Sequence, residues 1–235
     1  MIPKKLHYVW VGGKEIPEKF QLFISLWRKI MPDWEIIEWN ELNFDINEND
    51  YCKEAYRLKK WAFVSDYIRL KVLYLYGGIY LDIDMQMIRS LEPFSKHTAF
   101  FGLEYGSTLQ AGVFGCKKEH PIFRKILDYY DKLEYIVEPS DSTTVIGQHM
   151  FNVLKTIYPD LVLKEEIMEI DKGVFIYPSS YFCPDLANLE IKRDSYTIHW
   201  GENSWQTPKN RFKSKIYQTI VRNRVFGAIY RLYKR

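Results

Sequence analysis

Cysteine is scarce in this chain, as are the features of a membrane span or a secreted disulfide scaffold. Cys52, Cys116 and Cys183 are far apart and odd in number. They suit neither a disulfide framework nor a zinc cluster, and a reducing cytoplasm is the expected setting. No apolar run approaches the roughly 20 residues of a spanning helix. The opening MIPKKLHYVWVGG enters a strand-like run without the apolar stretch of a signal peptide, so any membrane contact is expected to be peripheral. Acidic residues are missing from 203–235, which hold nine Lys and Arg; taking these from the net +3 leaves −6 for residues 1–202. An acidic body argues against nucleic acid as a partner. There is no internal repeat, low-complexity run or clear linker. Aromatic residues are what the chain has in excess: 7 Trp, 18 Tyr and 14 Phe in 235 residues. Most such rings belong in a core, but their flat faces also suit bases and sugars.

The pattern along the chain reads as α/β. Leu6–Val11 is a short buried strand ended by Gly12-Gly13. From Pro17 to Ile30, Phe20, Phe23, Ile24, Trp27 and Ile30 recur at helical spacing. Trp34–Trp39 reads as a second strand, and strand, helix, strand is the order of a crossover onto a parallel sheet. Residues 41–50 are loop by composition. Tyr51–Tyr76, free of Pro and Gly, predicts one long helix stopped by Gly77-Gly78. Ile79–Met85 then alternates, with Ile79, Leu81, Ile83 and Met85 on one face and Tyr80, Asp82 and Asp84 on the other. Later elements are expected as strands at Ala99–Leu103, Val113–Cys116, Val174–Tyr177 and Tyr196–Trp200 and helices near Pro121–Leu133 and Gly147–Ile157.

The sharpest chemical feature is Asp82-Ile83-Asp84 after an apolar strand. Two carboxylates two residues apart repel unless something answers them, and a hard divalent cation with oxygen ligands does so while sharing its shell with phosphate. Strand ends in open α/β sheets are also where ligands bind. One turn apart on the preceding helix stand Asp66 and Arg69, in a segment so apolar that a cleft-lining role is favoured over a solvated pair. A guanidinium there can bind phosphate or hold a carboxylate that orients a sugar hydroxyl.

These stretches, IPKKLHYVWVGG, MPDWEIIEWNE, AFVSDYIRLKVLYLYGGIYLDIDM and IHWGENSW, resemble the bacterial glycosyltransferases with the sugar-binding Asp-x-Asp motif. These form family thirty-two, a GT-A-fold group distantly similar to the catalytic core of the clostridial glucosylating toxins. The resemblance implies a Rossmann-like nucleotide-binding sheet with flanking helices, and retaining transfer from a nucleoside diphosphate sugar with Mn2+ or Mg2+. It implies that Val9 and Trp10 hold the base, that Asn40 lies near the nucleoside, and that Ser65, Asp66 and Arg69 contact the donor. Tyr80 falls beside the diphosphate, Asp82 on ribose and metal-bound water, and Asp84 on the metal. His199 is the first choice for a third ligand, with Asn203 as another. Ser204 and Trp205 are expected to close over the diphosphate, and Trp200 to be core. Glu104, Gln110, Ala111 and Gly112 fall where the sugar pocket is expected. Related chains often carry Gly-Pro near residue 147, where this one reads Gly147-Gln148-His149; Gln148 is taken as a sugar contact and His149 as structural.

The expected product of these readings is a GT-A domain over 1–207 and a basic, aromatic helical extension over 208–235. The extension would touch the inner face of an anionic membrane near a glycan or lipid-linked glycan acceptor. The expected activity is transfer of a hexose or N-acetylhexosamine from a UDP-sugar in capsule or lipopolysaccharide biosynthesis. The alternatives are a GDP-mannose-dependent mannosyltransferase and a metal-dependent phosphohydrolase, the latter predicting a second acidic cluster. A non-catalytic glycan-binding module has no need of Asp66, Arg69, Asp82 and Asp84 together.

Overall fold

The computed structural model describes residues 1–104, 108–134, 146–186 and 191–201. The expected boundary at 207 and the extension 208–235 lie outside the described residues, as do Asn203, Ser204 and Trp205.

The chain opens with β1 (Lys5–Val9), a run buried on both sides. It continues into α1 (Glu18–Ile30), which starts behind Pro17 and buries Phe20, Ile24 and Trp27. A proline suits a helix start because it has no N–H to leave unsatisfied there. β2 (Glu35–Trp39) returns parallel to β1, pairing Leu6 with Ile36 and Val9 with Trp39.

The predicted long helix is two helices. α2 (Asp50–Arg57) begins where the Asn49 side chain accepts from the Cys52 N–H, and α3 (Trp61–Tyr76) follows a break at 58–60. The break is a helix-ending motif without its usual glycine. Lys59 N donates to Tyr56 O and Lys60 N to Ala55 O, both at 2.9 Å, with Lys59 left-handed at φ 57°.

α3 ends at Gly77 (φ 64°), and Gly78 (φ 117°) opens β3 (Gly78–Leu81). A Cβ on Gly78 would stand 2.7 Å from both His7 Nε2 and the Lys5 carbonyl. The imidazole of His7 is what occupies that space. It takes a hydrogen bond from Trp39 Nε1 (3.0 Å) on Nδ1 and donates from Nε2 to Gly77 O (2.8 Å), tying β1, β2 and the α3–β3 junction to one ring.

The predicted strand over Ile79–Met85 breaks at Asp82. Met85 N donates to Asp82 O (2.9 Å), closing a turn that lifts Asp82 and Asp84 off the strand before β4 (Met85–Met87). Beyond it come β5 (Ala99–Glu104), β6 (Thr108–Cys116), α4 (Pro121–Tyr130), α5 (Ile146–Ile157), β7 (Met168–Asp171), β8 (Val174–Tyr177), the single turn α6 (Ser179–Phe182) and β9 (Thr197–His199). β7 and α6 had no clear signal in the sequence: β7 has no fully buried residue, unlike the equally short but apolar β8, and α6 is a single turn, too short to show a helical period.

Among the described residues the main sheet runs β2-β1-β3-β6-β5-β8-β7, and β4 pairs with β9 in a second, small sheet. β1, β2 and β3 are parallel, β6 runs against β3 and β5, and β8 is parallel to β5. The parallel strands therefore bring the ends of β1, β2 and β3 and the start of β6 to one edge. Helices α2 to α5 cover one face over Tyr67, Ile68, Phe101, Phe114 and Phe123; Trp27 of α1 and Phe182 of α6 lie with Leu6, Leu81 and Phe100 on the other. Among the described residues no helix is long and apolar enough to cross a membrane.

Candidate active site

Every residue of α3 from Val64 to Leu70 is buried, around the whole circumference. A helix buried on all sides is ordinarily apolar, so Ser65, Asp66 and Arg69 within it must be answered by the protein. They are answered at the end of β3. The Arg69 guanidinium donates from Nε to Ser65 O (3.1 Å), from one terminal nitrogen to Ala111 O (2.8 Å) and from the other to Ser65 Oγ (2.9 Å). It pairs with Asp66 at 3.2 Å and Asp82 at 3.3 Å, and lies 4.6 Å from the centre of the Tyr80 ring. Tyr80 donates to Asp82 Oδ1 at 2.6 Å and shares a 3.0 Å hydrogen bond with Ser65 Oγ.

The carbonyl of Ala111 reaches Arg69 because β6 is irregular there. Its pairing with β5 slips between Phe100 and Gly102, and Gln110 Oε1 accepts from Val113 N (2.8 Å) across the slip. Gly112, within this slip, has a packing reason. A Cβ there would come 2.7 Å from Gln110 Nε2 and 3.3 Å from Asp82 Oδ2, so the absent side chain leaves Asp82 its place. Gln110, expected on the sugar, is fully buried and spends its amide oxygen on Val113.

Asp84 is placed by the small sheet. β4 and β9 pair Met85 with His199, and Trp200 N donates to Asp84 O (3.2 Å), which sets His199 Nε2 3.5 Å from Asp84 Oδ1. Among the described residues, Asp82, Asp84 and His199 offer ligand atoms all within 4.8 Å of one another. The expectation that neighbouring aspartates face each other unanswered needs refinement, because Arg69 and Tyr80 hold Asp82 and His199 faces Asp84. The case for an ion therefore rests on convergence and donor chemistry: two carboxylates and an imidazole suit Mn2+ or Mg2+. Trp200, expected as core, is buried and donates to Gln86 Oε1 (3.0 Å).

Burial raises the Asp66 carboxyl to about 7, with Arg69 opposing and the Asp82 charge adding to the rise. Burial works against the Arg69 charge, but Asp82, Tyr80 and Asp66 outweigh it and hold the guanidinium firmly protonated. At His199 burial likewise disfavours the imidazolium, yet Asp84 beside it carries its pKa well above the usual histidine value. Two carboxylates and an imidazole converge here, with the Arg69–Asp66 pair behind Asp82, a donor set of the kind that suits a divalent cation.

The remaining predicted residues spread along the same edge. Val9 is buried in the core, and Trp10 is partly exposed, its Nε1 donating to Lys14 O (2.5 Å) and its ring edge-on to Phe20. Asn40 follows β2, but its amide is bound to Glu38 and Leu42 within the turn. Gln148 lies in the first turn of α5, bonded to Asn152 (2.8 Å), where Gly147 lets the helix press on the Leu109 carbonyl. His149 is buried near Tyr130 Oη (3.3 Å), as a structural residue should be. Two participants in this edge escaped the sequence reading. Glu41 accepts from Gly12 N (2.6 Å) and Tyr56 Oη (3.0 Å), and Trp61 fills the space over Gly12. Glu41 closes the MPDWEIIEWNE stretch, where no role is assigned to it, and Trp61 stands just before AFVSDYIRL, outside any motif.

Comparison with known proteins bears on the fold and the class of enzyme. Residues 17–101 match the family described as the glycosyltransferase sugar-binding region containing the DXD motif. An uncharacterised glycosyltransferase of Acanthamoeba polyphaga mimivirus is 28% identical over 222 residues, covering 87% of this chain and 84% of that protein. A mannosyl phosphorylinositol ceramide synthase of Saccharomyces cerevisiae is 29% identical over 237 residues, covering 98% of this chain but only 60% of the yeast protein. Among solved structures, the PaToxG glycosyltransferase superposes with a TM-score of 0.54 at 21% identity over 67% of this chain and 70% of that one. The fold matches that of GT-A glycosyltransferases, and the family match and the names of the relatives give the same class of enzyme.

Proposed function

We propose, on the premise that this chain is a glycosyltransferase, that it moves a hexosyl group from a nucleoside diphosphate donor to a glycan acceptor with retention of configuration. The donor diphosphate would lie with a divalent ion at Asp82, Asp84 and His199. The observation that carries this reading is the convergence of those three side chains within 4.8 Å at the sheet edge where β1, β2 and β3 end.

When bound, the ion supplies charge neutralisation for the departing nucleoside diphosphate. The chain's own residues prepare the rest. Arg69, held by Ser65 and Ala111, presents a fixed positive charge beside Asp82 and stabilises negative charge that grows on the leaving oxygens without having to reorganise. Asp66, its carboxyl raised to about 7, is suited to exchange hydrogen bonds with a sugar hydroxyl as donor or acceptor. Asp82 is oriented by Tyr80 and Arg69, which fits it to ribose and metal-bound water. Trp10, at the end of β1, is the residue we assign to the base, where stacking contributes about 1–3 kcal/mol.

The VWVGG stretch favours a UDP-sugar carrying a hexose or N-acetylhexosamine. A second reading, mannosyl transfer from GDP-mannose, is favoured by the names of the yeast relatives. We place the acceptor in a capsule or lipopolysaccharide pathway at the inner face of the membrane, with Lys209, Arg211, Lys213 and Lys215 of the extension meeting anionic lipid. Isothermal titration with UDP and GDP, each with and without Mn2+, tests the donor. The expected result is Mn2+-dependent binding of UDP; Mn2+-dependent binding of GDP alone would install the mannosyl reading, and no metal dependence for either would remove the site. Co-sedimentation of the full chain and residues 1–207 with anionic liposomes tests the extension, and equal binding would remove it.

A further inference from the structure

His199 has two neighbours, one on each ring nitrogen. Nε2 faces Asp84 at 3.5 Å, and Nδ1 faces the Cys183 Sγ at 4.0 Å. On the Cys183 side, Glu104, Cys183 and His199 form a second group whose ligand atoms all lie within 4.8 Å of one another. The two groups differ in kind. Asp82, Asp84 and imidazole are the donors of a hard ion, whereas thiolate, imidazole and a single carboxylate are those of Zn2+. Tetrahedral Zn2+ with ordinary Zn–S and Zn–N lengths sets sulfur and nitrogen about 3.6 Å apart, a few tenths less than the 4.0 Å found. Cys183 stands in the bend after α6 with 3% of its surface exposed. Thr197 Oγ1 donates to Phe182 O (2.7 Å), fixing that bend against β9 two residues before His199.

We propose that Glu104, Cys183 and His199 Nδ1 form a soft-metal site for Zn2+ that opposes occupation of the Asp82–Asp84–His199 site. The opposition follows from the imidazole itself. A neutral ring has one lone pair to give, so a metal on Nδ1 leaves the proton on Nε2, where it points at Asp84 and can no longer ligate. Binding releases the Cys183 thiol proton and the Nδ1 proton of the His199 imidazolium to water and forms metal–thiolate and metal–imidazole bonds, with no change of oxidation state. The soft site stands on its own geometry. Only its opposition to Mn2+ rests on the proposed function.

The test uses the reduced full-length chain and Co2+, a spectroscopic substitute for Zn2+. A thiolate-to-cobalt charge-transfer band is expected in the near ultraviolet. It should vanish in Cys183→Ser and Cys183→Ala, need at least tenfold more Co2+ in Glu104→Gln, and persist in Asp82→Asn and Cys52→Ser. Near-ultraviolet circular dichroism selects the cysteine variant that keeps the native fold. No band in the parent protein, or one that survives loss of Cys183, overturns the site. A band lost in Asp82→Asn overturns its separateness. Zn2+ should then weaken Mn2+ binding at least tenfold, since losing a ligand costs no less than disturbing its orientation, and should do so in the parent but not in the folded Cys183 variant. Equal weakening in both would mean direct competition at the aspartates and end the proposed opposition. If Mn2+ fails to bind the parent at all, the proposed function falls, and the cobalt band still decides the soft site.

Discussion

Arg69 shows how much of this site hangs on one side chain. Its guanidinium meets Ser65, Ala111, Asp66 and Asp82 at once, a fork that an ammonium cannot copy. Arg69→Lys keeps the charge but leaves buried acceptors unmatched, and a loss of roughly 2–4 kcal/mol is expected. Urea unfolding with an unchanged slope would measure it, and a loss under 1 kcal/mol would show the fork to be replaceable. Gly112→Ala should act on function instead. The new methyl, 3.3 Å from Asp82 Oδ2 and closer still to Gln110, is expected to weaken Mn2+ binding several-fold while the protein stays folded; unchanged Mn2+ affinity would mean that the slip in β6 absorbs it. Asp66, Arg69, Asp82 and Asp84 were legible in the sequence because carboxylates and a guanidinium are conspicuous in an apolar helix and strand. Gly112 and Ala111 were legible only as positions, since what matters there is an empty space and a backbone carbonyl.

Secondary-structure elements carry two further predictions. Lys59 ends α2 with a left-handed backbone, where glycine has no Cβ to strain. Lys59→Gly should therefore raise stability by about 0.5–1 kcal/mol, read by thermal or urea unfolding; a loss would mean that the lysine stem packs usefully. This break is also why the predicted helix over 51–76 was too long: the usual punctuation was missing and hydrogen bonding supplied it. His7 governs the pH response of the β1–β2–β3 ladder. Burial, chiefly, lowers its pKa from 6.5 to about 4, so the folded chain binds the proton less readily than the unfolded one. Its contribution is fully present above pH 6.5 and is lost as pH falls through about 4. That shift corresponds to about 3 kcal/mol. The acid limb of the stability profile should be shallower in His7→Gln than in the parent; an identical limb would assign it to other groups.

At the scale of the whole molecule, ligand and stability are coupled by mass action. A nucleotide that needs the ion raises Tm only when the ion is present, by about 2.7 kcal/mol of stabilisation at one hundred times its dissociation constant. Adding a chelator should therefore cancel the shift that the nucleotide and Mn2+ produce together, and a shift that survives chelation would separate nucleotide binding from Asp82 and Asp84. The sequence by itself determined the α/β class, the crossover of β1, α1 and β2, and the pairing of an acidic motif with Asp66 and Arg69, because periodicity and charge in apolar surroundings are local properties of a chain. Only the tertiary structure decided that Asp82 and Asp84 leave the strand on a turn, that the pairing of β4 with β9 is what carries His199, already the expected third ligand, to them from more than a hundred residues away, and that Cys183 waits at its other nitrogen. Those facts depend on which distant strands pair, and no local pattern records a contact made across the fold.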